Sequence, residues 1–170
     1  MAFFSGWLRA DVYKEQRTGI EFPEKIADYK RGKATPYEAE PNKAGVAIEY
    51  RAKDGEVTVY VRALGDEAGK TAATFLQDAF AGVKALEKQG QYSNVKIYES
   101  SADKEKPGWK SGAFTSSSSN HFVVSFIFCK VVSGCLVKIR ATTQDSKNDQ
   151  LQSFTKSLQE IVDKVAKKPD

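Results

Sequence analysis

The stretch from Asn120 to Thr143 constrains the fold of this chain more than any other. Aromatic, β-branched and aliphatic side chains fill it, no proline interrupts it, and Ser133 and Gly134 divide it into two halves. Such residues prefer strands, and a short break that contains glycine is typical of the turn between two antiparallel strands. The stretch therefore predicts a long β-hairpin.

The length of the turn decides which residues face each other in this hairpin. A three-residue loop from Val132 to Gly134 would put Gly134 in the left-handed backbone region, which glycine enters without steric cost. A two-residue turn would shift the register by one and place Lys138 and Arg140 among apolar residues, so we predict the longer loop. The predicted pairs on the apolar face are Val131 with Cys135, Cys129 with Val137, Ile127 with Ile139, and Ser125 with Ala141.

The other face of the predicted hairpin mixes aromatic rings with cations, and a second hairpin adds more of both. Such a face offers stacking surface and positive charge to an acidic peptide or protein partner, or to a small anionic ligand. The alternative is that the long basic side chains lie over their aromatic neighbours and keep their charged ends in water. The candidate ligand or partner surface consists of Phe126, Phe128, Lys138, Arg140, Tyr60 and Arg62.

The second hairpin is predicted around Asp54 and Gly55, because Asp-Gly is typical of a two-residue hairpin turn. Its strands are Val46–Arg51 and Val57–Ala63, with Tyr50 opposite Val59 on an apolar face. The segment Thr35–Lys43 contains two prolines and several acidic residues and is predicted as a loop. Shorter strands are predicted at Thr18–Pro23, Ile26–Arg31, Val95–Glu99 and Trp109–Ser116.

Two segments carry apolar residues at helical spacing. The first is predicted to begin at Asp66 as its capping residue and to end near Gly90, and the second to begin near Ser146. Each has one apolar stripe, so each is expected to cover a sheet. The predicted fold class is α+β, with a mostly antiparallel sheet of about six strands packed with two main helices as an α/β/α sandwich.

Composition narrows the classes of function. The 170 residues suit one domain, and a net charge of +4 from well interspersed charges does not predict a nucleic-acid surface. One histidine and two cysteines leave few soft metal ligands, so neither a metal nor another cofactor is expected. No stretch is long enough to span a bilayer. Cys129 and Cys135 are expected to be buried thiols, with a cross-strand disulfide as the alternative.

The first 17 residues are set apart from the predicted domain, which spans residues 18–170. They open with an apolar run that ends at Ala10 and is followed by charged chain. The run is interpreted either as a signal-peptide remnant or docking arm, or as a short segment that packs on the domain. A periplasmic or secreted bacterial protein and a cytoplasmic one are both compatible with this pattern.

Two patterns imitate catalytic or nucleotide sites. The segment Gly65–Thr71 resembles a phosphate-binding loop but has three residues between its glycines where the motif needs four, so a capped helix start is the preferred interpretation. His121 is the only imidazole and would have to serve as the base of any serine or cysteine hydrolase mechanism. No nucleophile motif accompanies it, so no catalytic residue is assigned and a small hydrolase using His121 is kept as the alternative function.

The order of elements resembles the α/β/α sandwich of the Mog1/PsbP-like group. The resemblance rests on TGIEFPEKIADYKR, on the hairpin VAIEYRAKDGEVTVYV that leads through Leu64-Gly65 into a helix, on Ser111–Phe114, and on a last hairpin ending LVKIRATT before a closing helix. Members of that group are generally binding or assembly proteins, some of them chaperones or accessory factors. The resemblance therefore implies a non-enzymatic binding or accessory protein, and it carries over no catalytic residues.

Overall fold

A computed structural model of the chain describes residues 11–38, 44–99, 107–118, 121–145 and 147–166. The helices are α1 (Ala72–Lys88), which follows a short 3-10 turn at Gly65–Glu67, and α2 (Asp149–Ala166). The strands are β1 (Val12–Lys14), β2 (Glu21–Pro23), β3 (Lys25–Ile26), β4 (Tyr29–Glu38), β5 (Ala44–Ala52), β6 (Gly55–Ala63), β7 (Ser93–Glu99), β8 (Lys110–Ser118), β9 (His121–Val132) and β10 (Cys135–Thr143).

The sheet is larger than the sequence predicted. Eight strands form one sheet in the order β3-β4-β5-β6-β10-β9-β8-β7, and β1 pairs with β2 in a separate ribbon. Every described pair of neighbours is antiparallel, including those on either side of the helices. Strands hold 51% of the described residues and helices 27%. The predicted fold class, with its sheet of about six strands, is therefore wrong, and the structure is an α+β fold dominated by a bigger antiparallel sheet.

Part of the added sheet comes from β4, whose second half was predicted as a loop. The strand continues through Thr35 to Glu38 and pairs along this length with β5. Pro36 breaks strands because it lacks a backbone N–H, but a strand edge without a neighbour tolerates it. Among the described strands, the only other neighbour of β4 is β3, which reaches no further than Lys30. The position of this half of β4 at the edge of the sheet therefore explains why it forms a strand although its proline predicted a loop.

The turn between β9 and β10 differs from the predicted one, and the difference changes which side chains of the two strands share a face. Val132 pairs with Cys135, so only Ser133 and Gly134 form the turn. Both have positive φ angles, 48° and 68°, as a type I′ turn requires. The three-residue loop and its register are therefore wrong. The observed opposed pairs include Cys129 with Lys138, Ile127 with Arg140, Phe128 with Ile139, and Phe126 with Ala141.

The hairpin of β5 and β6 keeps its predicted faces but not its predicted partners. Ala52 pairs with Gly55, so Lys53 and Asp54 form the turn, and Tyr50 lies opposite Val57 instead of Val59. A Cβ atom at Gly55 would lie 2.6 Å from the Tyr29 hydroxyl oxygen. Gly55 therefore allows a close approach of Tyr29 and does not form a left-handed turn. The Asp-Gly signal accordingly placed the turn one residue too late and each strand partner two residues away from the observed one.

The two predicted helices are present, and they cover opposite faces of the sheet. The buried stripe of α1 packs with Phe114, Ile127 and Cys129. The stripe of α2 packs with Val137 and Ile139, which point to the other side because neighbouring strand residues alternate. The helix caps are Thr71, which accepts a hydrogen bond from the Thr74 N–H, and Asn148, which accepts one from Leu151. The predicted cap Asp66 lies instead in the 3-10 turn.

The structure places both cysteines and part of the N-terminal segment. Cys129 and Cys135 are buried thiols, as predicted, but they belong to different cores on opposite faces of the sheet. Residues 1–10, which carry the apolar run, lie outside the described residues. Val12–Lys14, also within the first 17 residues, pairs with Glu21–Pro23, so this part of the segment lies against the domain.

Gly134→Ala tests the two-residue turn that sets the register. An alanine forced into the left-handed region costs roughly 1–2 kcal/mol, so we expect the free energy of unfolding to fall by about that amount in urea titrations. Gly69→Ala is the matched control, because a Cβ atom at either glycine meets nothing within 4 Å but only Gly134 has a positive φ. Equal losses for the two variants would contradict the turn geometry.

Candidate functional site

Each helix covers only part of its face of the sheet. α1 packs mainly against β7, β8 and β9. On the same face, called here the α1 face, the side chains of β5 and β6 stay half-buried, among them Glu49 and Thr58. The sheet beside α1 therefore forms an open shelf with the helix as its wall.

Four of the six candidate residues lie together on this shelf. Arg62 pairs with Leu136, which packs in the α1 core, and Tyr60 pairs with Lys138. Arg140 is two residues further along the same strand and points to the same side. We call Tyr60, Arg62, Lys138 and Arg140 the cation cluster. Register, not proximity in sequence, brings these side chains from β6 and β10 together.

Phe126 and Phe128 do not join the cation cluster. They lie opposite Ala141 and Ile139 and so point to the face covered by α2. There they line a cavity beside α2 together with Trp109. Because a shift of one residue moves every side chain of a strand to the other face, the wrong register had placed these two rings beside the cations.

Arg140 is held by aromatic residues and keeps one donor unused. Its Nη2 atom donates a hydrogen bond of 3.0 Å to the Tyr92 hydroxyl, and its guanidinium carbon lies 5.3 Å from the centroid of the Phe114 ring. Its Nε atom is buried, and no described group accepts a hydrogen bond from it. Buried donors of charged groups are normally satisfied, so Arg140 is incompletely paired for a partly buried cation.

Lys138 is a half-buried amine without a carboxylate partner among the described residues. Its Nζ atom lies 4.6 Å from the centroid of the Tyr60 ring. Burial lowers the pKa of Lys138, and Arg140 and Arg62 lower it further, although Cys129 acts in the opposite direction. The charged amine is therefore destabilised by its surroundings. A bound anion stabilises a cation most under this condition.

Acidic groups neutralise the cations at one end of the shelf only. Glu67 contacts Arg62 at 2.7 Å and Lys70 at 2.6 Å. Lys70 also contacts Asp78 at 3.1 Å. This chain of alternating charges ends before Lys138 and Arg140. Among the described residues, no ion pair compensates the positive charge of the shelf where β10 passes beside α1.

A cavity of about 390 Å³ opens next to these two cations, between α1 and the sheet. Lys138 and Arg140 form its polar side, and Asp78 lines it from the exposed surface of α1. Its other lining residues are Ala79, Gly82, Val83, Leu86, Phe114 and Ile127. The arrangement combines apolar walls with two cations, which suits an anion that has an apolar part.

Sequence reasoning missed the residues that surround the cations. Phe114 and Ile127 belong to the α1 core, and Tyr92 lies between α1 and β7. The helical stripe of α1 could have indicated Val83 and Leu86 as neighbours of the sheet. No local signal pairs Tyr92 with Arg140, because they are 48 residues apart and meet only through the strand order.

The other predicted features are placed as follows. His121 is exposed at the start of β9, opposite Ser118, and lines neither the cavity beside α1 nor the one beside α2. Within the described part of the chain, no three acidic, histidine or cysteine residues are grouped as metal ligands. Neither described helix is long and apolar enough to cross a membrane.

No protein-family model, curated protein or solved structure matches this chain. The resemblance to the Mog1/PsbP-like group stays a prediction from the sequence. The geometry of the cation cluster and its cavity is therefore the basis for any functional proposal.

Lys138→Met tests whether the surroundings of Lys138 destabilise its charged amine. The folded pKa of Lys138 is lowered, so between that value and the unfolded value of about 10.4 the unfolded chain binds more protons. The contribution of Lys138 to the free energy of unfolding of the wild type therefore rises with pH across that window and is lowest below it. We expect the variant to have the higher free energy of unfolding at pH 7, and its advantage to shrink as the pH rises.

Lys88→Met is the control for this comparison, since Lys88 is exposed in the last turn of α1. Its difference from the wild type should be small and nearly independent of pH. A Lys138→Met protein that is less stable than the wild type at pH 7 would show that the amine is stabilised, not strained, by its surroundings.

Proposed function

We propose that this chain is a non-enzymatic binding protein that holds an anionic ligand or acidic partner on the cation cluster. The observation that carries the proposal is the pair Lys138 and Arg140, adjacent on one face of β10 and without a carboxylate partner among the described residues. Bound anions form charge-assisted hydrogen bonds with such groups, which are stronger than hydrogen bonds between neutral groups.

The energetics of the shelf support this proposal. Two like charges on one strand face repel each other, and partial burial removes water that would screen them. Neighbouring cations such as Arg62 are already paired, so the chain has acidic residues close by but does not place them at Lys138. An anion supplied from outside would relieve the repulsion. This is the arrangement expected of a binding site whose charge serves recognition rather than stability.

The aromatic rings support recognition of an organic anion. Tyr37 and Tyr60 meet edge to face with centroids 5.9 Å apart on the open shelf, and Tyr60 lies under Lys138. Rings of this kind add contact area at low conformational cost. A ligand that reaches Lys138 from the shelf would contact both the cation and the tyrosine.

Titration with anilinonaphthalene sulfonate, followed by its fluorescence, tests the proposal. We expect the native protein to bind this anionic aromatic probe, and Lys138→Met to weaken binding by about 10- to 100-fold, the size of one hydrogen bond to a charged group. Lys88→Met should bind like the wild type. The uncharged probe N-phenylnaphthylamine should bind the three proteins with similar affinity. Equal binding of the sulfonate by wild type and Lys138→Met would remove the cation cluster as the site.

A further inference from the structure

We propose that the anion recognised at this site is a small amphipathic monocarboxylate, with its apolar body in the cavity between α1 and the sheet and its carboxylate at Lys138 and Arg140. This inference rests on the proposed function and adds the class of ligand and its position. It separates a ligand that lies in the cavity beside the helix from an acidic peptide lying across the open shelf.

The cavity has the size and walls of a small-molecule site. Its volume of about 390 Å³ falls within the range of about 300–1,000 Å³ that is usual for such sites. Val83 and Leu86 from α1 face Phe114 and Ile127 from the sheet across it. A Cβ atom at Gly82, which also lines the cavity, would meet nothing within 4 Å. The helix therefore leaves space next to hydrocarbon walls, which favours an apolar ligand body.

The polar end of the cavity offers donors to a single anionic group. The buried Nε atom of Arg140 lacks an acceptor among the described residues, while its Nη2 atom is held by Tyr92. The amine of Lys138 lies on the same strand face, two residues away. Both residues line the cavity. A carboxylate accepts hydrogen bonds from ammonium and guanidinium groups, so one carboxylate in the cavity would offset the charges of both residues.

The acidic residues around the cavity argue against a polyanion. Asp78 lines the cavity on its exposed side, and Glu67 belongs to the same charge network. On the shelf side, Glu49 lies opposite Thr58, which in turn lies opposite Arg140. An acidic peptide would bring further carboxylates close to these groups, whereas a monocarboxylate places its one charge at the two cations. Charge repulsion of this kind is a common source of selectivity.

Calorimetric titration of the full chain with butyrate, hexanoate and octanoate tests the inference. Burial of each added methylene should raise the affinity about fourfold until the cavity is filled. Octylamine, which has the same tail and the opposite charge, should not bind. Lys138→Met should lower the octanoate affinity about tenfold or more. Affinity that does not depend on chain length would overturn the position of the tail in the cavity.

Two leucine variants on α1 locate the ligand. Gly82→Leu projects a side chain over the cavity and should abolish octanoate binding without loss of helix, because leucine is a better helix former than glycine. Ala81→Leu adds the same group at an exposed neighbour outside the cavity lining and should bind octanoate like the wild type. Circular dichroism and thermal unfolding confirm that both variants are folded.

The outcomes separate this inference from the proposed function. If Gly82→Leu binds octanoate normally but Lys138→Met does not, the anion lies on the open shelf. The cavity is then wrong as the site, and the binding function survives. Tighter binding of tetraglutamate than of octanoate would lead to the same conclusion. If neither variant changes octanoate binding, both the cavity and the cation cluster are excluded as its site.

Discussion

The two-residue turn at Ser133 and Gly134 determines how the rest of the structure is arranged. By making Val132 the partner of Cys135, it sends Lys138 and Arg140 to the face covered by α1 and sends Phe126 and Phe128 to the face covered by α2. A shift of one residue would put Phe126 and Phe128 on the same face as Lys138 and Arg140. The left-handed backbone of two adjacent residues thus decides where the positive charge of β10 is placed.

This placement has an energetic cost that the fold partly offsets. The cations lie against aromatic rings, with Lys138 over Tyr60 and Arg140 over Phe114, and such contacts stabilise a partly desolvated charge by about 0.5–2 kcal/mol. The lowered pKa of Lys138 shows that the offset is incomplete. A site of this kind lowers the stability of the free protein and increases its capacity to bind an anion. The cavity beside α1 provides space for the bound group.

The sequence predicted some features of this arrangement and missed others for definable reasons. The apolar stripes of α1 and α2 identified both helices, because a period of 3.6 residues is a strong signal. The β9–β10 register was missed because Ser133 is a weaker type I′ residue than asparagine, and because buried cations were assumed to be unfavourable. Tyr60, Arg62, Lys138 and Arg140 share a face because β10 pairs with β6 so that Lys138 lies opposite Tyr60. The aromatic partners Phe114 and Tyr92 were missed, because they reach the cations only through strand order.

Proton nuclear magnetic resonance measures directly whether this turn places the cations beside α1. Opposed residues in an antiparallel pair bring their Cα atoms to about 4.5–5.5 Å, close enough for strong nuclear Overhauser effects in the closer pairs. The observed register predicts cross-strand contacts between Cys129 and Lys138 and between Ile127 and Arg140. Contacts of Cys129 with Val137 and of Ile127 with Ile139 in their place would contradict the account.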